Sequence, residues 1–124
     1  MPTDIVVIAG DLRLEGRLSD TPTAQALAAA LPLRGSASRW GDEIYFQVPV
    51  VAELDDTARV TVDVGDIGYW PSGRAVCFFF GLTPASVPGE IRPASPVNLV
   101  GQLIGDPCCL KLVPEGAPVR IERK

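Results

Sequence analysis

The sequence predicts a mainly β protein, folded as a barrel or a sandwich. Three observations point there: short apolar runs alternating with period two, glycine and proline punctuation between them, and one stretch only with helical spacing. At 124 residues the chain has the length of one domain, expected over residues 1–124, and can bury a core without disulfide or metal staples. Hydrophobic residues at 47% and charged ones at 21% place it among globular chains and away from disordered ones.

Thr3 to Ala9 is rich in β-branched residues and reads as a strand, and Gly10-Asp11 supplies the turn of a hairpin. Leu12, Leu14, Gly16 and Leu18 then alternate with charged residues as a half-buried second strand. Thr21-Pro22 has the form of a helix start, with Ala24, Leu27, Ala28 and Leu31 spaced i, i+3, i+4, i+7 before Pro32 ends the element. Leu33 to Arg39 is small and polar and carries no strand signal. From Trp40 to Val50, Ile44, Phe46 and Val48 face one way while Glu43, Tyr45 and Gln47 face the other.

Asp55 to Arg59 reads as an exposed loop, and the alternation of Val60, Val62 and Val64 predicts a strand running into Gly65-Asp66. Gly65 to Gly73 then reads as a loop holding the knuckle Tyr69-Trp70-Pro71. Arg74 to Phe80 is apolar on both faces, as expected of a strand covered on both sides. Residues 84 to 96 hold four of the twelve prolines and form a loop. Val97 to Ile104 reads as a strand in which Gly101 marks a bulge or a close approach. Asp106 to Val113 suits a short helical turn, and Val119 to Glu122 a closing strand. The total is seven or eight strands and one firm helix.

Several function classes are disfavoured. A formal net charge of −4 with no basic cluster offers nothing to a phosphate backbone, so no nucleic acid is expected as partner. No apolar run approaches 18 residues and no leader-like segment opens the chain, so a cytoplasmic protein with no membrane partner is expected. The absence of histidine removes Ser-His and Cys-His mechanisms and the commonest metal ligand. Cys77 lies in an apolar strand where burial raises a thiol pKa and leaves it inert, and Cys108-Cys109 without histidine makes a poor zinc site. No cofactor and no metal are implied.

What remains is recognition. Tyr69 and Trp70 either pack on their own barrel or face a ligand with large apolar area and a polar tip. Arg74 is a planar five-donor cation, suited to an anion or a carbonyl oxygen and equally to an ordinary surface position. Glu43 offers acid, base or acceptor chemistry beside Tyr45, although an outward strand carboxylate is by default a solvated one. Phe78 and Phe80 share one face and Phe79 takes the other, so either set can line a pocket or fill the barrel, with filling the default. Glu43, Tyr45, Tyr69, Trp70, Arg74 and Phe78 are thus the candidate ligand-binding residues, and no catalytic residue is assigned.

Three motifs go further: W-G-D-E-I-Y-F (Trp40 to Phe46), G-D-I-G-Y-W-P-S-G-R-A-V-C-F-F-F-G-L-T-P (Gly65 to Pro84) and P-A-S-P-V-N-L-V-G (Pro93 to Gly101). In order and spacing they closely resemble a family of small prokaryotic cyclophilin-like proteins, over nearly the whole chain. The resemblance implies a closed, mostly antiparallel cyclophilin-like β-barrel with one capping α-helix and short helical turns. It does not carry over the cyclophilin stretch that presents a positioning arginine, an aromatic and a glutamine to the substrate proline. Arg39, Arg74 and Arg92, the arginines near the motifs, stand in other contexts. The favoured expectation is a binding module for a peptide or small molecule through an aromatic groove. The alternatives are a peptidyl-prolyl isomerase, implied by fold alone, and an accessory subunit of a larger enzyme complex, which requires a protein partner.

Overall fold

The alternation at the N-terminus folds as read. In the structure, a computed structural model that describes residues 1–124, β1 (Thr3–Ala9) and β2 (Leu12–Leu18) pair antiparallel from Thr3 opposite Leu18 to Ala9 opposite Leu12. Gly10 takes the left-handed conformation that the tight turn needs. The helix α1 (Pro22–Ala29) follows, with Pro22 in its first turn. Thr21 stands at the N-cap position in extended conformation, but its hydroxyl makes no capping bond. Ala24, Leu27 and Ala28 add their side chains to the barrel interior.

The remaining strands are β3 (Leu33–Ser36), β4 (Ser38–Arg39), β5 (Glu43–Gln47), β6 (Ala58–Arg59), β7 (Asp66–Trp70), β8 (Ala75–Phe79), β9 (Val97–Ile104) and β10 (Pro118–Arg123). All pairings are antiparallel, in the order β3-β10-β1-β2-β9-β7-β8-β5-β4, with β6 paired to β9 off this path. The order begins and ends on neighbouring stretches of one segment. Residues 33–36 pair with β10, residues 38–39 pair with β5, and Ala37 between them bonds to Ala117 and Gly116. That segment brings the two edges of the sheet together, which leaves a nearly closed barrel.

Two stretches differ from the sequence reading. Leu33 to Arg39, weak in strand signal, becomes the closing segment because it meets open sheet edges on both sides. Val60 to Val64 is not a strand: only Val62 finds a partner, in a single bridge to Ile91, and Val60 and Val64 are exposed. The strand lies one step later, at Asp66–Trp70, where the composition reads as loop. Its backbone is bonded on one side to β8 and on the other to β9, and two ladders outweigh poor local propensity.

The core is divided by the barrel wall. A cluster of 25 buried residues fills the interior, including Ile5, Leu18, Ile44, Phe46, Ile67, Tyr69, Phe78, Phe80 and Val100. Phe46 and Phe78 stack there with ring centroids 6.3 Å apart. A second cluster of five, Val62, Cys77, Phe79, Ile91 and Val97, lies on the outer face. β8 feeds both, which is why its sequence is apolar on both sides. The second cluster is covered by the 60–64 and 84–96 segments rather than by another sheet. Short 3-10 turns at Pro71–Gly73 and Pro107–Leu112 complete the chain, the second holding Leu110 in the interior.

Candidate functional site

Strand alternation decides which residues can meet outside the barrel. On β5, Ile44 and Phe46 point in, so Glu43 and Tyr45 point out; on β8 the outward pair is Cys77 and Phe79. Register places Glu43 opposite Phe79 and Tyr45 opposite Cys77. On β7, Tyr69 goes inward and Gly68 and Trp70 outward. A Cβ on Gly68 would lie 2.9 Å from the Val97 side chain, so glycine there lets Val97 and Phe79 close over the sheet.

Above this floor is a cavity of about 170 Å³, lined by Trp40, Glu43, Tyr45, Trp70, Pro93, Ala94 and Val97. That is smaller than a pocket for a drug-sized ligand and suits one side chain or one head group. Its walls are fixed. Tyr45 and Trp70 meet edge to face, centroids 5.9 Å apart and ring planes at 79°. Trp70 donates its Nε1–H to Ser95 Oγ at 2.5 Å and lies against Gly73, where any Cβ would run into the indole. The proline-rich segment that supplies Pro93 and Ala94 is itself knotted: Ser86 Oγ accepts from the backbone N–H of both Thr83 and Arg92 at 3.0 Å, and the Thr83 hydroxyl donates to the Arg92 carbonyl.

Glu43 is the group that gives this cavity chemistry. The sequence reads it as a solvated strand carboxylate; in the structure it is 4% exposed. The covering segments, which no strand pattern reveals, take it out of water. It has no salt-bridge partner. Burial pushes its pKa up to about 7, opposed in part by a hydrogen bond with the Cys77 thiol. Cys77 is pushed well above the usual thiol range by burial and by the neighbouring carboxyl. Near neutral pH the Glu43 carboxyl can therefore hold or release a proton, or hold a cation.

The structure brings Glu43, Tyr45 and Trp70 together and separates the other three sequence candidates from them. Tyr69 is fully buried inside the barrel, where its hydroxyl donates to Val50 O at 2.5 Å and accepts from Ala52 N at 3.3 Å. Phe78 packs in the interior cluster. Arg74 is exposed at the turn after Pro71–Gly73, in left-handed conformation with φ 48, and does not line the cavity. Sequence reasoning passed over Trp40, Pro93, Ala94 and Val97 as site residues. The signal was present, since Trp40 opens one of the three motifs and the other three stand at the head of another.

Elsewhere the surface offers less. A larger groove of about 460 Å³ runs past Arg17, Thr57, Arg59, Leu99 and Gln102, with no buried ionisable group in its wall. Cys108 and Cys109 are not bonded to each other, and no group of three or more His, Cys, Asp or Glu side chains comes together to hold a metal ion. No helix is long and apolar enough to cross a membrane.

The likenesses of this chain agree with its architecture. The family model described as cyclophilin-like matches residues 3–122. A hypothetical protein of Archaeoglobus fulgidus, known from its solution structure, is 38% identical; the match covers 98% of this chain and 95% of that one, with a TM-score of 0.82. No curated protein matches. The motifs around Trp40, Gly65 and Pro93, the barrel they build and these two matches have one reading: the chain belongs to the cyclophilin-like family.

Proposed function

We propose that this protein is a binding module that takes one side chain of a peptide, or one head group of a small molecule, into the cavity around Glu43. The observation that carries this reading is a carboxyl group 4% exposed, without a cationic partner, in the wall of a pocket otherwise made of Trp, Tyr, Pro, Ala and Val. An apolar concavity with one well-placed polar group is how ligand pockets are generally built. Leaving a carboxyl underbonded in such a place costs stability, and a ligand that supplies the missing partner offsets the cost. No arginine lines the cavity, which supports binding over prolyl isomerisation, where the cyclophilin stretch uses a positioning arginine.

Tryptophan fluorescence tests this directly, because Trp40 and Trp70 both line the cavity. Titration with a panel of capped single amino acids and small alkyl and aromatic alcohols and amines should yield saturable quenching and a rise in Tm. Trp70→Ala should lose both responses while still unfolding cooperatively. A panel without any saturable response, or a response that survives Trp70→Ala, would exclude the site.

A further inference from the structure

The walls of the Glu43 cavity specify more than an apolar ligand. Among the lining side chains the hydrogen-bond acceptors are the Glu43 carboxyl and the Tyr45 hydroxyl; Trp donates only, and Pro, Ala and Val do neither. A primary ammonium brings three N–H donors, and only the two carboxylate oxygens and one phenol oxygen, all on the β5 wall, could accept them, while the aromatic and apolar side chains of the other walls offer none. A fully alkylated ammonium brings none. It needs a negative charge and aromatic rings, which attract cations through their quadrupoles most strongly when water is excluded. The cavity has a buried carboxyl and three aromatic side chains, two of them with ring planes at 79°. Its 170 Å³ is the scale of a head group rather than of a whole ligand.

We propose that this cavity holds a trimethylammonium-type head group, with the Glu43 carboxylate as counter-charge and Trp40, Tyr45 and Trp70 as an aromatic cage. The inference rests on the reading of the cavity as a ligand site and names the chemistry that enters it. Other ionisable groups on the neighbouring elements are few. Cys77 on β8 faces Glu43 with a thiol, Tyr45 shares its strand, Asp42 is paired with Arg39 at 3.8 Å, and on the covering segment Arg92 is paired with Glu90 at 2.8 Å. Arg39 in turn is occupied by the carbonyls of Gly41, Lys111 and Val113. No cation already present serves Glu43.

The test compares choline with 3,3-dimethyl-1-butanol, its uncharged carbon analogue of nearly equal shape, by tryptophan quenching of the full chain. The expected result at pH 8 is a preference for choline of about tenfold, the scale of a desolvated cation–aromatic contact. Choline affinity should fall by roughly tenfold between pH 8 and pH 6 as Glu43 takes up its proton, while the alcohol should show no such fall. Glu43→Gln should lower the preference and abolish its pH dependence, which a merely structural role for Glu43 would not do. Capped trimethyl-lysine, run beside choline, distinguishes a modified protein side chain from a free small molecule by which binds more tightly. Equal affinity for choline and the alcohol in the unmodified protein would overturn the ammonium assignment and leave the binding reading standing. Absence of saturable quenching by these probes and by the whole fragment panel would remove both.

Discussion

Two buried polar side chains on this barrel, Asn98 and Glu43, have opposite surroundings. Asn98, fully buried on β9, uses all of its short side chain: Nδ2 donates to Thr23 Oγ1 at 3.0 Å and to Glu53 O at 2.9 Å, and Oδ1 accepts from Asp55 N at 2.9 Å. Thr23 passes the chain on to Asp55 Oδ2 at 2.7 Å. Burial would raise the Asp55 pKa, yet bonds from Thr57 and Thr23 outweigh it and hold the carboxyl below its ordinary value. Glu43 has a thiol and no cation, and its pKa goes the other way. One polar group is bonded for structure and the other is left open, which separates a strap from a site.

The comparison can be broken most forcefully at Asn98. Asn98→Ala leaves Glu53 O and Asp55 N without their partner and leaves the Thr23–Asp55 bond as the side-chain hydrogen bond between α1 and the 51–57 segment. Three hydrogen bonds at about 1 kcal/mol each predict a loss near 3 kcal/mol in urea unfolding, with the pH dependence assigned to Glu43 unchanged. A loss within experimental error of zero would mean that the strap is held by something else.

Glu43 should give an effect of similar size that appears only on titration. Its folded pKa of about 7 lies above its ordinary value, so the folded state binds the proton more tightly than the unfolded chain. The Glu43 contribution to stability is therefore greatest below the ordinary carboxyl range, declines as pH rises toward 7 and levels off above it. The decline is on the order of 3 kcal/mol. Glu43→Gln should flatten it, and the variant should be the more stable protein at pH 8. A stability difference between parent and Glu43→Gln that does not change with pH would show that Glu43 has a partner after all.

Gly73→Ala sharpens the site side of the comparison. A methyl group there meets the Trp70 indole, so the ring must leave its place against Tyr45. About 2 kcal/mol of stability should be lost, the usual cost of overpacking, and quenching by a bound ligand should weaken with it. Tyr69→Phe acts one residue away and on the other side of the wall. It removes the bonds to Val50 O and Ala52 N, costs about 2 kcal/mol at about 1 kcal/mol each, and should leave ligand response intact.

How much of this was legible in the sequence follows from what each feature depends on. The first hairpin, α1, β5, β8, β9 and the late helical turn are local patterns that their own residues encode. β7 and the closing segment 33–39 depend on partners far away in the chain, and Val60 to Val64 shows the converse, a good strand pattern with no edge to join. At the site, alternation correctly puts Glu43 and Tyr45 outside the barrel, as it does Ile44 and Phe46 inside. Outside the barrel is not the same as in solvent. The step from one to the other fails because residues 84–96, aperiodic by sequence, are pinned across that face through Ser86 and Ser95. Burial by a loop leaves no period to read.

Arg74 supplies the smallest test. It is the cation that the sequence places beside Trp70, yet it stands exposed and outside the cavity, so it belongs to neither half of the comparison. Its φ of 48 is a conformation that costs a residue with a Cβ roughly 1 to 2 kcal/mol, held here because Arg74 N donates to Pro71 O and Arg74 O accepts from Val48 N at 2.9 Å. Glycine removes that strain and adds freedom to the unfolded chain, which costs about 0.5 to 1 kcal/mol in return. Arg74→Gly should therefore gain about 0.5 kcal/mol, a small rise in Tm, with ligand response and pH profile unaltered. Should quenching vanish in that variant, the guanidinium must reach over Trp70 to the ligand, and the counter-charge at the site would have to be reassigned from an acid to a base.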